Sequence, residues 1–120
     1  MEKLTAQEED VMLVIWQQKS GCVKDFLEQM SEPKPPYTTL ASVIKNLERK
    51  GYVVAKRYGN VYFYTPAIDE NEYKRKFLSN VVRNYFANSY RDMVAFFVKE
   101  EQLTAEELQE IVRIIEKGKS

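Results

Sequence analysis

Apolar positions in the first part of the chain recur with the spacing of one helix face, then give way to a run of strand-forming residues. Thr5 and Glu8 stand three apart, the spacing of a capping box in which the two residues satisfy backbone N–H groups at a helix start. Val11, Met12, Val14, Ile15 and Trp16 follow at helical spacing, which predicts a first helix ending at Ser20-Gly21. Phe26, Leu27 and Met30 mark a second helix over Lys24 to Met30, and Pro33, Pro35 and Pro36 force a break after it.

The pattern is sharpest between Tyr37 and Lys50. Leu40, Val43, Ile44 and Leu47 fall on one stripe of a helix. At about 100° per residue, the opposite stripe is Thr38, Ser42, Lys45 and Arg49, a face with donors and cations but no carboxylate. Gly51 ends this helix. Residues 52–57 and 61–65 are rich in β-branched and aromatic side chains and predict two strands, with Tyr58-Gly59-Asn60 as the hairpin turn. Three helices followed by a basic-tipped hairpin describe a winged helix-turn-helix. In that fold the third helix enters the major groove, and Lys56, Arg57 and Asn60 reach the flanking backbone. One face of the second strand, which carries Tyr62 and Tyr64, is expected to be core and the other to touch sugar or phosphate, and Tyr62 is placed near DNA.

Beyond Pro66 the helical period returns. Asp69 precedes Tyr73, Phe77, Val81 and Tyr85, spaced four apart. Ser89 precedes Tyr90, Met93, Val94, Phe97 and Val98, and Thr104, with Glu107 as its box partner, precedes Leu108, Ile111, Val112 and Ile115. Three amphipathic helices with no sheet to cover need a partner. A second copy is the simplest, because isologous dimers match two-fold DNA sites; the alternative is that they fold back on the winged part. The interface residues expected on the dimer reading are Phe77, Val81, Tyr85, Tyr90, Val94, Phe97, Leu108, Ile111 and Ile115. The fold expected is mainly α with a small hairpin: a winged-helix DNA-binding domain over residues 1–67 and a helical dimerisation domain over 68–120.

Composition narrows the function. The chain has no histidine and one cysteine, Cys22. The commonest general base and metal ligand are therefore missing, and no internal disulfide or multi-thiolate site can form. No enzyme activity, cofactor or metal is expected. The amino-terminal segment is acidic and helical in pattern, and no run is long and apolar enough to span a membrane, so a cytoplasmic protein is expected. Equal numbers of acidic and basic residues hide an uneven distribution. Residues 1–32 hold three basic and seven acidic side chains, residues 33–66 six and one, and residues 67–120 nine and ten. The middle third is a candidate polyanion-binding face, and a solvated charged surface is the alternative.

Several of these residues carry a family resemblance. Leu4-Thr5-x-x-Glu8-x-x-Val11-Met12 ending in Ile15-Trp16, then Pro36-Tyr37-Thr38-Thr39 with Leu47 and Lys50-Gly51, then Tyr62-x-Tyr64-x-Pro66 resemble the BlaI/MecI penicillinase-repressor family. The resemblance covers nearly the whole chain. It implies a winged-helix repressor that binds a palindromic double-stranded DNA operator as a homodimer, joined through its C-terminal helices. It also implies a recognition helix over Thr38 to Arg49, with Thr38, Thr39, Ser42 and Lys45 as reading residues. Asn46 stands where penicillinase-type members carry arginine, which implies a different operator.

The resemblance further implies inactivation by proteolysis downstream of a membrane receptor metalloprotease that senses β-lactams or other envelope stress. The bond indicated is Phe96-Phe97, with Phe96 at a position that is asparagine in penicillinase-type members. A copper-responsive branch has a cysteine-rich tail. The tail here, Glu116-Lys117-Gly118-Lys119-Ser120, has no cysteine and excludes that route. The rival reading from another class is a winged-helix module whose basic face serves an acidic protein partner instead of DNA.

Overall fold

A computed structural model describes residues 2–118; Lys119 and Ser120 of the cysteine-free tail lie outside the described residues. The chain divides into two compact units, one up to Tyr73 and the other from Lys74 onward. The sequence pattern predicts a division after residue 67, six residues earlier.

The first unit is built from α1 (Ala6–Gln18), α2 (Val23–Gln29), α3 (Tyr37–Arg49) and a hairpin of β1 (Val53–Tyr58) and β2 (Val61–Pro66), and it takes in the first turn of α4 (Glu70–Tyr85). It is a winged helix. The capping box opens α1: Glu8 N–H donates to Thr5 Oγ1 at 3.1 Å and Thr5 N–H to Glu8 Oε1 at 2.8 Å. Helix α1 stops earlier than the Ser20-Gly21 expectation, at Lys19, whose φ of 73° lies in the left-handed region and whose N–H reaches the Ile15 carbonyl at 2.7 Å. Gly21 has a different reason to be glycine. A Cβ there would meet the Phe26 ring at 3.1 Å and Asp25 at 3.2 Å, and Gly21 forms a two-way backbone bridge with Tyr64 that ties the α1–α2 corner to β2.

The apolar faces converge. Met12 and Ile15 of α1, Phe26 of α2, and Leu40, Ile44 and Leu47 of α3 are fully buried, with Val53 and Tyr64 of the hairpin closing the cluster. In the hairpin Tyr58 pairs with Val61, so the turn is the two residues Gly59-Asn60 rather than three. Gly59 has φ +62° at the first central position, as a type II′ turn requires. Trp16 is core, as its stripe position indicated, and its indole N–H donates to the Ile68 carbonyl at 2.9 Å. Tyr73 lies against Trp16 and Tyr52, with ring centroids 5.4 and 6.0 Å away, and donates to Glu9 Oε2 at 2.7 Å. Burial and that carboxylate both raise its phenol pKa well above the ordinary tyrosine value.

The second unit comprises the rest of α4, α5 (Tyr90–Lys99) and α6 (Ala105–Gly118). Its helices begin where the side chains indicated. Ser89 Oγ accepts from Asp92 N–H at 3.0 Å, and Thr104 with Glu107 closes a second reciprocal box at 3.0 and 3.1 Å. The expected stripe Tyr73, Phe77, Val81, Tyr85 is not one face. Steps of four residues drift about 40° each, so its ends are roughly 120° apart. Tyr73 enters the first unit's core, while Tyr85 is 78% exposed and Val82 is the buried residue of this part. Among the described residues no helix is long and apolar enough to cross a membrane.

Candidate nucleic-acid interface

Because Leu40, Ile44 and Leu47 fix one side of α3 in the core, helical geometry turns Thr38, Ser42, Lys45 and Arg49 outward, and all four are exposed. Thr39 is exposed beside them, and Glu48 projects to the flank. The face therefore presents two hydroxyls, an ammonium and a guanidinium, groups that donate to phosphate oxygens and base edges alike.

Asn46 is different. It is half-buried at the side of α3, and its amide is engaged at both ends: Nδ2 donates to Glu8 Oε2, and Oδ1 accepts from Arg49 Nε at 3.0 Å. Behind it lies an ion pair. Lys50 Nζ reaches Glu8 Oε1 at 2.6 Å, with the two side chains only 8% and 5% exposed, and also donates to the Lys3 carbonyl at 3.0 Å. Burial by itself would raise the Glu8 pKa. The Lys50 hydrogen bond, the Thr5 N–H, the Asn46 amide and the Lys50 charge outweigh it and hold the carboxyl down at about 2. Arg49 Nη1 in addition faces Glu2 at 3.4 Å on the surface.

This network thins the basic patch that composition suggested. Lys50 is withdrawn into the buried pair and Arg49 is partly offset by Glu2, which leaves Lys34, Lys45, Lys56 and Arg57 as the exposed cations of this stretch. The capping-box spacing accounts for Glu8 only as a cap residue; its position three and four residues before Val11 and Met12, on the buried stripe, is the sequence signal that it enters the core.

At the wing, cross-strand register groups the residues differently from the sequence expectation. Arg57 pairs with Tyr62 and Lys56 with Phe63. Arg57, Tyr62 and, farther in, the buried Tyr64 share one face, while Lys56 shares the other with Tyr58. The Arg57 guanidinium lies 5.8 Å from the Tyr62 ring centre, donates to the Gly59 carbonyl at 2.7 Å and reaches Asn60 Oδ1 at 3.5 Å. Lys56 Nζ stands 5.4 Å from the Tyr58 ring on the opposite side. Arg57, Asn60 and Tyr62 therefore form one group and Lys56 stands apart.

In the second unit, Phe77, Tyr85, Tyr90, Val94, Phe97, Ile111 and Ile115 are exposed, and Val81 and Leu108 are half-buried. Phe96 and Phe97 lie inside α5, edge to face at 5.6 Å, and Phe96 also meets Phe86 at 5.7 Å.

A penicillinase repressor family model matches residues 4–117. The chain belongs to that family. Penicillinase-repressor relatives span nearly all of it. The penicillinase repressor of Bacillus licheniformis is 29% identical over 98% of this chain and 93% of its own length. The methicillin resistance regulatory protein MecI of Staphylococcus aureus strain N315 is 26% identical over 96% of this chain and 94% of its own. Among solved structures, that of the DNA-binding domain of the repressor BlaI aligns with a TM-score of 0.52 at 30% identity, covering 61% of this chain and 94% of that domain. The Bacillus licheniformis BlaI monomer in complex with the blaP half-operator aligns with a TM-score of 0.51 at 29% identity, covering 60% of this chain and 89% of the other.

Proposed function

We propose that this penicillinase-repressor family member is a DNA-binding transcription repressor that places α3 in the major groove of a palindromic operator, with Thr38, Thr39, Ser42 and Lys45 toward the base edges. Arg49 and the wing group of Arg57, Asn60 and Tyr62 take flanking phosphates, Lys56 approaches from the wing's other face, and Asn46 borders the reading face. The observation that carries this reading is the outer face of α3, held outward by a rigid core and free of carboxylates. The half-operator complex of the related BlaI monomer supports one winged unit per half-site, and therefore two chains on a two-fold operator.

The second copy is held through the C-terminal helices. Phe77, Val81, Tyr85, Tyr90, Val94, Phe97, Leu108, Ile111 and Ile115 supply an apolar surface that a single chain leaves largely uncovered, and a closed isologous pair removes it from water. Release follows from a cut in α5 at Phe96-Phe97 by a membrane receptor metalloprotease that responds to a β-lactam or envelope signal. Such a cut detaches α6 and its apolar stripe, and monomers then lose the operator because two joined half-site readers gain affinity through effective concentration.

A salt titration of duplex binding tests the central claim. Affinity should fall by orders of magnitude between low and moderate salt, since each neutralised phosphate releases counterions. Lys45→Ala should cost about 1–3 kcal/mol on the operator, whereas Arg57→Ala should weaken all sequences alike and reduce the salt slope by about one. A folded protein that binds no duplex at low salt refutes the proposal and leaves its face to an acidic protein partner.

A further inference from the structure

Resting on the reading of α3 as the DNA-contacting helix, we propose that Glu8 of α1 is a positioning residue for the DNA-binding face, holding the Asn46 amide in the one orientation that lets its oxygen accept from Arg49. An ionised carboxylate is an acceptor at both oxygens. At Glu8, Oε1 takes the Thr5 N–H and the Lys50 ammonium, and Oε2 takes Asn46. Only the nitrogen end of the Asn46 amide can face Oε2, so its oxygen is turned toward the Arg49 Nε–H at 3.0 Å.

The surface contact between Arg49 and Glu2 cannot do this work. At 3.4 Å, with both side chains 60% exposed, it is a pair that solvent screens and that a phosphate can replace at Nη1. The Asn46 contact differs because its other end is anchored in a pair that is almost wholly buried. Arginine has many rotamers to lose on binding, and a guanidinium already held by Nε loses fewer. Glu8 thus acts on DNA through two intermediates while lying on another helix.

Glu8→Gln tests the relay. Two donors, the Thr5 N–H and Lys50, still require an oxygen on their side, so the introduced amide turns its NH2 toward Asn46. Asn46 then turns its oxygen to that NH2 and presents its own nitrogen to Arg49, a donor facing a donor. The full-length protein is titrated with a duplex recovered by selection from a random-sequence pool. Arg49→Ala should weaken binding by about tenfold in the wild type but by less than about twofold in the Glu8→Gln background.

Adding Asn46→Asp to Glu8→Gln should restore most of the Arg49 effect, because a carboxylate accepts from both sides; this double variant also keeps the wild-type net charge, so charge alone cannot explain a rescue. If Glu8→Gln does not fold, Asn46→Ala, with the best helix former in place of asparagine, carries the same comparison and should equally abolish the Arg49 effect. In the protein without DNA, the Arg49 Nε–H resonance should be protected from exchange in the wild type and lose that protection in Glu8→Gln. An Arg49 effect that is absent in the wild type or unchanged by Glu8→Gln, or an Nε–H that does not respond, overturns the proposal. Failure of the wild type to bind any duplex, with the Nε–H responding as described, overturns the DNA reading instead.

Discussion

The two units of the chain use the same local devices to opposite ends. In both, capped helices carry apolar stripes: Thr5 with Glu8 opens α1, and Thr104 with Glu107 opens α6. In the winged unit those stripes meet each other, and Met12, Ile15, Phe26, Leu40, Ile44 and Leu47 leave water completely. In the second unit Val82 does so, whereas Phe77, Tyr85, Tyr90, Ile111, Ile114 and Ile115 remain exposed. Caps and periodicity build helices; only convergence of their faces builds a core. One unit has found its partner surfaces within the chain, and the other leaves much of its apolar surface exposed.

The largest expected effect strikes the second unit. Truncation after Phe96 removes α6 with Leu108, Ile111, Val112 and Ile115, each worth roughly 1.5–3 kcal/mol when buried between copies. Sedimentation should show association weakened by at least about a thousandfold, with operator affinity falling in parallel. A truncated chain that pairs and binds as the full one does erases the contrast between the units.

A single core truncation separates the units next. Ile44→Ala should cost about 2–5 kcal/mol in denaturant unfolding of the winged unit, since it opens a cavity in a fully buried part of the core that relaxes only partly. Ile111→Ala should leave that transition within about 0.5 kcal/mol and reduce self-association instead. The reverse assignment of these two effects would show that the helical unit is the stability core.

The boundary between units is sharpened by two fragments. One ending at residue 67 lacks the Ile68 carbonyl that accepts the Trp16 indole N–H, and lacks Tyr73 over Trp16 and Tyr52. It should be roughly 3 kcal/mol less stable than one ending at residue 76, from one orphaned buried donor and two lost aromatic contacts. Equal stabilities would move the boundary to Pro66.

A smaller effect comes from acid. Glu8 titrates at about 2 in the folded protein, below the ordinary 4.5, so the unfolded chain binds its proton first as pH falls. The stability the pair contributes is complete above about pH 4.5 and drains away toward pH 2. The amount is on the order of 3 kcal/mol, and a protonated Glu8 leaves the Lys50 ammonium buried with a weaker partner. Glu8→Gln should flatten that part of the stability-versus-pH curve measured by chemical denaturation, and an unchanged curve would remove Glu8 from the winged unit's support.

Periodicity read locally carried most of the fold. The three helices and hairpin, the outward stripe of α3, and the caps at Thr5, Ser89 and Thr104 each rest on residues within a turn or two of one another. What escaped depends on distance or on accumulated angle. Helix α1 closes at Lys19, an ordinary residue in a left-handed conformation that no pattern marks. The four-residue stripe of α4 drifts around the helix and splits its tyrosines between two environments. The pair of Glu8 and Lys50 joins residues 42 apart in sequence, and nothing local reveals that a carboxylate from α1 meets the Asn46 amide. The separation of Lys56 from Arg57 is legible in the sequence, because adjacent residues on a strand point to opposite faces whatever their charge.

The anchoring of Trp16 has an optical consequence. It is the only tryptophan in the chain, its ring is enclosed, its N–H is held by Ile68, and Tyr73 of α4 lies 5.4 Å away. Intrinsic emission excited at the red edge of the spectrum therefore reports from one point, the junction where the winged unit grips the start of α4. Loss of that grip moves the indole into water and shifts its emission to longer wavelength, while events confined to α5 and α6 leave the signal unchanged. The chain thus carries its own unlabelled gauge of whether the winged unit is intact.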